Sequence, residues 1–247
     1  METMADLDAR KLVVVFAPHP DDEVIATGGT ICRHREAGDR VIIVFATDGS
    51  ESHAAVLGIR TDPSPTELAL IRQREAIAAA AALGVPADDV VFLHRQDTQL
   101  ANEAGELAAG IEEVFQKYRG VSTVYLPDPD RELNADHRMT GQTVLARVRA
   151  AGLTPRLLKY VVWDRDVERA FQFENRLDAP AQIDDAEEVE RVDIRHHHRQ
   201  KLEAMSKHRT QVELFSASQT RTVIPRELKN RIERQTVETF RVHEWGF

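Results

Sequence analysis

The stretch LVVVFAPHPDDEVIATGG, residues 12–29, runs from an unbroken apolar segment into one imidazole and three carboxylates. Leu12-Val13-Val14-Val15-Phe16, closed off by Pro18 and Pro20, predicts a strand buried on both faces. His19, Asp21, Asp22 and Glu23 then crowd the end of that strand, where charge is costly unless something compensates it. The simplest compensation is a cation.

The same alternation continues along the chain. Residues 41–46, 90–93, 123–126 and 158–162 read as further strands, and 23–37, 66–83, 106–118 and 136–151 have helical spacing. Gly38, Gly84 and Gly120 fall where helix-ending glycines belong. This pattern predicts an α/β fold: a Rossmann-like, mostly parallel sheet with helices on both faces. In such a sheet the ligand site lies beyond the carboxyl ends of the strands. PHPDDE (18–23), TDGS (47–50), RQDTQL (95–100) and PDPDRELNADH (127–137) all fall there.

The pattern changes near residue 164. An acidic run at 184–190 precedes a basic, helical stretch at 195–209, and a strand-like segment closes the chain at 237–242. No Pro/Gly/Ser linker intervenes, so the expectation is one domain over 1–247, with a core at about 12–165 and a C-terminal extension at about 166–247. The lone Gly28-Gly29 pair makes no dinucleotide fingerprint.

Composition narrows the class. With 247 residues, 42% hydrophobic and 30% charged, the chain is ordinary for a globular protein and long enough for a sizeable core. A formal charge of -9 argues against general affinity for nucleic acid or an anionic membrane. Cys32 is the single cysteine, so no intramolecular disulfide forms and a reducing cytosol is the natural compartment. The opening METMADLDARK lacks the apolar core of a signal peptide, and no segment reaches the length of a membrane span. A soluble, cytoplasmic protein is expected, with a composition compatible with self-association.

His19 and Asp22 sit three apart across a strand-to-helix turn, so both can reach one point; Asp21 between them can face the same cavity. Asn134-Ala135-Asp136-His137 follows the fourth strand at the same mouth. His19, Asp22 and His137 would give two imidazoles and one carboxylate, the open set of a catalytic zinc site. Asp21, left free, could take a proton from water. The competing reading of HPDDE alone is a helix cap or an ion pair; a second histidine at a strand end of the same sheet favours metal.

These residues resemble the PIG-L (LmbE-like) family of zinc-dependent N-deacetylases, with PHPDDE as its first motif and Asp136-His137 closing its second. Arg72-Gln73-Arg74-Glu75 with Leu83-Gly84-Val85 is similar to the family's RxxE…LG helix, and Phe92 to Asp97 to its FLxxxD. Lys201-Leu202-Glu203-Ala204 with His208-Arg209-Thr210-Gln211 resembles KxxA…HxSQ, with Thr for Ser, and Glu238-Thr239-Phe240 resembles ExF. The resemblance spans about residues 12–241. It implies one zinc per chain on His19, Asp22 and His137, with Asp21 as general base. It implies Arg72 and Asp97 as contacts to a sugar-like amide substrate. Against these roles stand an Arg72–Glu75 pair at i, i+3 and a turn cap by Asp97. Iron or another divalent ion could occupy the same ligands.

The chain departs from the family at Asn134, where HxDH places a histidine. An amide N–H can donate to a developing oxyanion but cannot carry a proton to a leaving amine, so Asp21 would make both transfers. Asp136 is then expected to bond a ligand histidine from behind. The plainer reading of Asn134 is a loop residue bonding its own backbone.

Consecutive residues on a helix point about 100° apart, so His196-His197-His198 cannot chelate one ion well; with Arg195, Arg199 and Lys201 the run reads as a solvated or substrate-facing basic face. His208 is expected to pack or brace, Cys32 to be a buried thiol, and the loops at 50–66 and 164–190 to wall the site. The resulting expectation is a zinc hydrolase that removes an acyl group, most simply acetyl, from an amide nitrogen of a sugar-like metabolite such as an N-acetylglucosamine derivative. The alternatives are an amidase acting on a larger conjugate such as a thiol-sugar, and a metal- and sugar-binding protein without turnover.

Overall fold

The computed structural model describes residues 10–164 and 188–244. Five parallel strands, β1 (Leu12–Ala17), β2 (Arg40–Thr47), β3 (Val90–Arg95), β4 (Thr123–Pro127) and β5 (Arg156–Tyr160), form the body of one sheet. β7 (Val237–Val242) pairs antiparallel with β5, and β6 (Val189–Asp193) pairs antiparallel with β7. The order is β3-β2-β1-β4-β5-β7-β6. The strands leave β1 toward β3 on one side and toward β5 on the other, so the gap between β1 and β4 is the topological switch point.

The apolar runs alternate between two cores. Val13, Val15 and Ala17 of β1 face α1 (Asp22–Glu36) and α2 (Pro65–Ala82), joined by Ala204 and Met205 of α5 (His198–Met205) and Leu228 and Ile232 of α7 (Arg226–Arg234). Val14 and Phe16 face α3 (Ala104–Lys117) and α4 (Ala135–Ala150) on the other side. The sheet is therefore covered on both faces, as the continuous apolar runs require.

The described C-terminal residues belong to the same sheet and core. Glu238 of β7 reaches into the middle of α1, where its carboxylate accepts from the N–H groups of Gly29 at 2.9 Å and Thr30 at 2.8 Å. Lys201 Nζ of α5 donates to Ile25 O at 2.9 Å and to Glu238 Oε1 at 2.6 Å, and both side chains are fully buried. Gly28 and Gly29 make room for this insertion: a Cβ on Gly29 would lie 2.5 Å from Ile194 Cβ. That close approach, and no dinucleotide, accounts for the pair.

Several sequence expectations are corrected here. Residues 195–209 are not one helix: α5 begins at His198, and a separate turn, α6 (Arg209–Val212), follows His208. Lys201 is not on a solvated face, because Glu238, Gln235 and Ile25 O hold its ammonium in the interior. His197 pairs with Glu36 at the far end of α1 from the first motif, so the triple histidine does not face the site. The strand expected at 158–162 lies at Arg156–Tyr160. Residues 189–190 open β6 rather than end a loop, while 165–187 lie outside the described residues. The 50–66 loop contains a π-helical turn at His53–Leu57.

Two measurements check this packing. Gly29→Ala should destabilise the protein by about 1–3 kcal/mol, because overpacking against Ile194 outweighs the roughly 1 kcal/mol of helix propensity gained. Thermal denaturation should read this as a loss of several degrees; an unchanged or higher Tm would contradict the close approach. Cys32 is buried and its thiol is pushed up to about 12, first by burial and then by Glu238. The native protein should resist alkylation at pH 8 and react only on unfolding, as mass spectrometry with iodoacetamide would show.

Candidate metal centre

β1 ends at Ala17, and the next residues turn at once into α1. The turn is fixed by Thr47, whose backbone N–H and hydroxyl both reach Pro18 O at 2.9 Å. Asp21 stands at the N-cap of α1 with φ of 140°, a conformation that costs a non-glycine residue about 1–3 kcal/mol. Its side chain makes no cap bond. Instead Glu23 Oε2 accepts the Asp21 N–H at 2.9 Å, while Arg72 donates to Pro20 O and to Asp21 Oδ2, the latter at 3.2 Å. The helix-cap reading of HPDDE therefore fails for Asp21, whose carboxylate lines the cavity beside His19 and Asp22.

Three ligand atoms meet at the switch point. His19 Nδ1 lies 3.3 Å from Asp22 Oδ2 and 3.3 Å from His137 Nε2, and His137 Nε2 lies 3.1 Å from Asp22 Oδ2. Ligands held at about 2.0–2.1 Å from a tetrahedral ion sit roughly 3.3–3.5 Å apart, so this triangle fits a zinc-sized cation with little adjustment.

Each imidazole is held from behind. His19 Nε2 lies 3.1 Å from Asp97 Oδ1 and 3.4 Å from Asp136 Oδ2. His137 Nδ1 lies 3.0 Å from Glu132 Oε1, though off the line of a well-aligned hydrogen bond. Such carboxylates fix the ring and its tautomer, leaving the other nitrogen for the metal. Glu132 was invisible in the sequence, where it is one acid among several in an acidic loop. In the fold it is buried, and it also accepts from Val162 N at 2.6 Å and Trp163 N at 3.1 Å.

The electrostatics have the sign of a site built for positive charge. Burial pushes Asp22 up, but His137 and then His19 outweigh it and hold its carboxyl well below the usual range. Burial lowers His137, yet Asp22 and Glu132 raise it to about 9; His19 is likewise raised against burial by Asp97, Asp136 and Asp22. Asp21 moves the other way: burial lifts it to about 7, with Arg72 as the main opposing charge.

The remaining predicted residues have definite places. Both guanidinium ends of Arg72 are engaged, Nη1 on Gly49 O at 2.8 Å and Nη2 on Pro20 O and Asp21. Its pairing with Glu75 does not occur; Glu75 instead receives the N–H and hydroxyl of Thr210. Asp97 uses its second oxygen on Glu51 N at 2.9 Å, so its geometry is that of a residue positioning His19. Asn134 caps α4, its Oδ1 accepting from Asp136 N at 2.8 Å and His137 N at 3.3 Å. That engages the oxygen and leaves Nδ2 as a donor on a residue that lines the cavity. Asp136 also accepts from Thr98 N at 2.7 Å. His208, fully buried, bonds Glu23 Oε1 at 2.9 Å and so steadies the carboxylate that holds Asp21.

The fold and cage define a Rossmann-like α/β protein with a histidine–carboxylate centre at its switch point. The family model described as PIG-L, GlcNAc-PI de-N-acetylase, matches residues 14–148, over half of the chain, and the chain belongs to that family. It is similar to the diacetylchitobiose deacetylase of Thermococcus kodakarensis, at 36% identity over 146 residues. That match covers 58% of this chain and 51% of the relative, so the matched stretch is about half the relative's length. Among solved structures, the N,N'-diacetylchitobiose deacetylase from Pyrococcus horikoshii has a TM-score of 0.61 at 24% identity, over 98% of this chain and 87% of that one. The 4-carboxy-2-hydroxymuconate hydratase GalB from Pseudomonas putida has a TM-score of 0.66 at 18% identity, over 94% of this chain and 95% of that one. The fold thus carries more than one chemistry, and the reaction must be argued from the site. Among the described residues, no helix is long and apolar enough to cross a membrane.

If Glu132 and Asp97 position the ligands, Glu132→Gln and Asp97→Asn should each weaken zinc binding by about 10–100-fold, with the fold retained by circular dichroism. Competition against a chromogenic chelator measures this. Affinities equal to wild type would remove both residues from the centre.

Proposed function

We propose that this protein is a divalent-metal-dependent N-deacetylase that releases acetate from the acetamido group of an N-acetylglucosamine-containing small molecule. One observation carries the reading: a three-ligand cage shares a cavity with a buried carboxylate that is neither ligand nor cap. Zinc is the ion we assign to His19, Asp22 and His137, and when bound it supplies the Lewis acidity that acidifies water and polarises an acyl oxygen.

The chain's own residues supply the rest. Asp21 takes a proton as a water oxygen attacks the acyl carbon. A carboxyl near neutrality is well placed to accept that proton and give it up again. Asn134 Nδ2 donates to the acyl oxygen as it gains charge. The carbon–nitrogen bond then breaks, Asp21 returns the proton to the nitrogen, and acetate and a free amine leave. Arg72 acts through Asp21, holding its carboxylate in place, rather than through the substrate. The C-terminal segment belongs to the same working unit, since Glu238, Lys201 and His208 brace the helix that carries the first motif.

A protein that only bound metal and sugar would need the three ligands. It would have no use for a carboxylate held at φ of 140° by an arginine and a glutamate. This strain favours turnover over the binding-only reading.

Amine release from N-acetylglucosamine derivatives by zinc-loaded protein tests the proposal. Asp21→Asn should lower kcat by roughly 10²–10⁴-fold while zinc content stays at one per chain. Full activity in the variant would remove Asp21 as the base. Absence of amine release in the wild type across the panel would count against deacetylation.

A further inference from the structure

The cavity beside the cage has a volume of about 320 Å³, room for considerably more than an acetyl group. Its walls are mostly apolar: Ile25, Val56, Trp163, Val223, Ile224 and Leu228 all line it. Most of its polar groups are already engaged with the protein. Arg72 is bonded to Gly49, Pro20 and Asp21, Asp97 to His19 and Glu51, and Asn134 Oδ1 to the start of α4. Ser52 Oγ accepts from Gln211 Nε2 at 3.3 Å.

Arg72 Nε is buried without a partner, as is one atom of another lining residue, Gln211. Gln211 is 1% exposed, and its Nε2 is fixed by Ser52 and by Thr210 Oγ1, the latter at 2.8 Å. Its Oε1 is buried without a partner, on a residue that lines the cavity. A buried acceptor left open in this way calls for a donor, which water or a bound ligand can supply. Only a few polar groups therefore remain for a substrate, too few to satisfy a large, fully hydroxylated saccharide.

We propose that the substrate is amphipathic: its polar part gives an N–H or O–H to Gln211 Oε1, and an apolar group of several carbons lies against the Trp163–Val223–Ile224–Leu228 wall. This rests on the deacetylase reading and narrows its substrate class. The wall is built largely from the C-terminal segment and from Trp163, whose backbone N–H is tied to Glu132, the same carboxylate that faces His137. Glu132 thus links one residue of the wall, Trp163, to the candidate cage.

Two series of compounds test the inference on the zinc-loaded protein. The first varies the aglycone: methyl, butyl, hexyl and octyl β-glycosides of N-acetylglucosamine. The second varies the acyl group: N-acetyl, N-butanoyl and N-hexanoyl glucosamine. Steady-state kcat/KM should rise in one series by about fourfold per methylene buried, and the series that rises shows which end of the substrate is apolar. Val223→Ser combined with Ile224→Ser should flatten that slope. Gln211→Leu should lower kcat/KM by about tenfold for every member and leave the slope in place. Hydrolysis with no rise in either series overturns the inference and leaves deacetylation standing. Absence of hydrolysis throughout speaks against deacetylation instead. Calorimetric binding of methyl against octyl β-glucosaminide and of free butanoate against acetate then decides the wall directly: equal affinities within both pairs overturn it.

Discussion

Everything at the mouth of this sheet depends on holding six buried carboxylates in one small volume. Asp21, Asp22, Glu23, Asp97, Glu132 and Asp136 are each less than a tenth exposed. Left alone, such a cluster would protonate or unfold the edge. The fold answers by giving each one a role. Asp22 meets two imidazoles, Asp97 and Asp136 stand behind His19, and Glu132 faces His137. Glu23 takes His208 and a backbone N–H, and Asp21 takes Arg72. Asp22 is also the carboxylate among the candidate ligands, so a cation at its side would complete the charge balance of the whole group. The metal reading and the stability of the edge are therefore the same electrostatic argument.

The position of that edge is set from the other end of the chain. α1 carries the first motif on its N-terminus, and its middle is gripped by Glu238 and Lys201. Removing either partner would strand the other as an uncompensated buried charge, at about 3–5 kcal/mol. Gly29 brings Ile194 close against the same turn of helix. Arg72, from α2, then reaches the backbone and carboxylate just before α1 begins. The strained Asp21 is thus held by Glu23 of α1, which His208 braces, and by Arg72 of α2, and such over-determination is what allows strain to persist.

How much of this could be read in the residues follows from which interactions are local. The β1–β5 and α1–α4 alternation was legible because apolar runs, helical spacing and terminal glycines are nearest-neighbour signals. The α/β sheet with helices on both faces followed from them. His19, Asp22 and His137 stood out because each lies in the segment that follows a strand, and the segments after parallel strands open on one edge of the sheet. Glu132 and the bonding of Asp97 could not be read, since an acid in a loop looks the same whether it meets water or an imidazole. Lys201 was misplaced for a related reason: among arginines and histidines a lysine reads as surface. Only the partner across the sheet, Glu238, explains its burial. β6 was hidden because Val189-Glu190-Arg191-Val192-Asp193 is short and mostly charged, and becomes a strand only by pairing with β7.

The division of labour in the chain has a chemical consequence. The candidate ligands and Asp21 lie beyond the carboxyl ends of the parallel strands, in the turn after β1 and at the starts of α1 and α4. Much of the apolar wall comes from Val223, Ile224 and Leu228, which follow α6 and run into α7. On the function proposed above, reaction type and substrate choice would be carried by different parts of the sequence. Solved structures named as deacetylases and as a hydratase share this fold, so the fold alone does not select the reaction. The proposed amide hydrolysis requires that the cavity present an acyl carbon to water beside Asp21 while a donor faces the acyl oxygen. Asn134 could meet the second requirement because capping α4 engages its oxygen and leaves its amide nitrogen as a donor. On this reading, the bonds that begin a helix also orient a donor for the proposed chemistry.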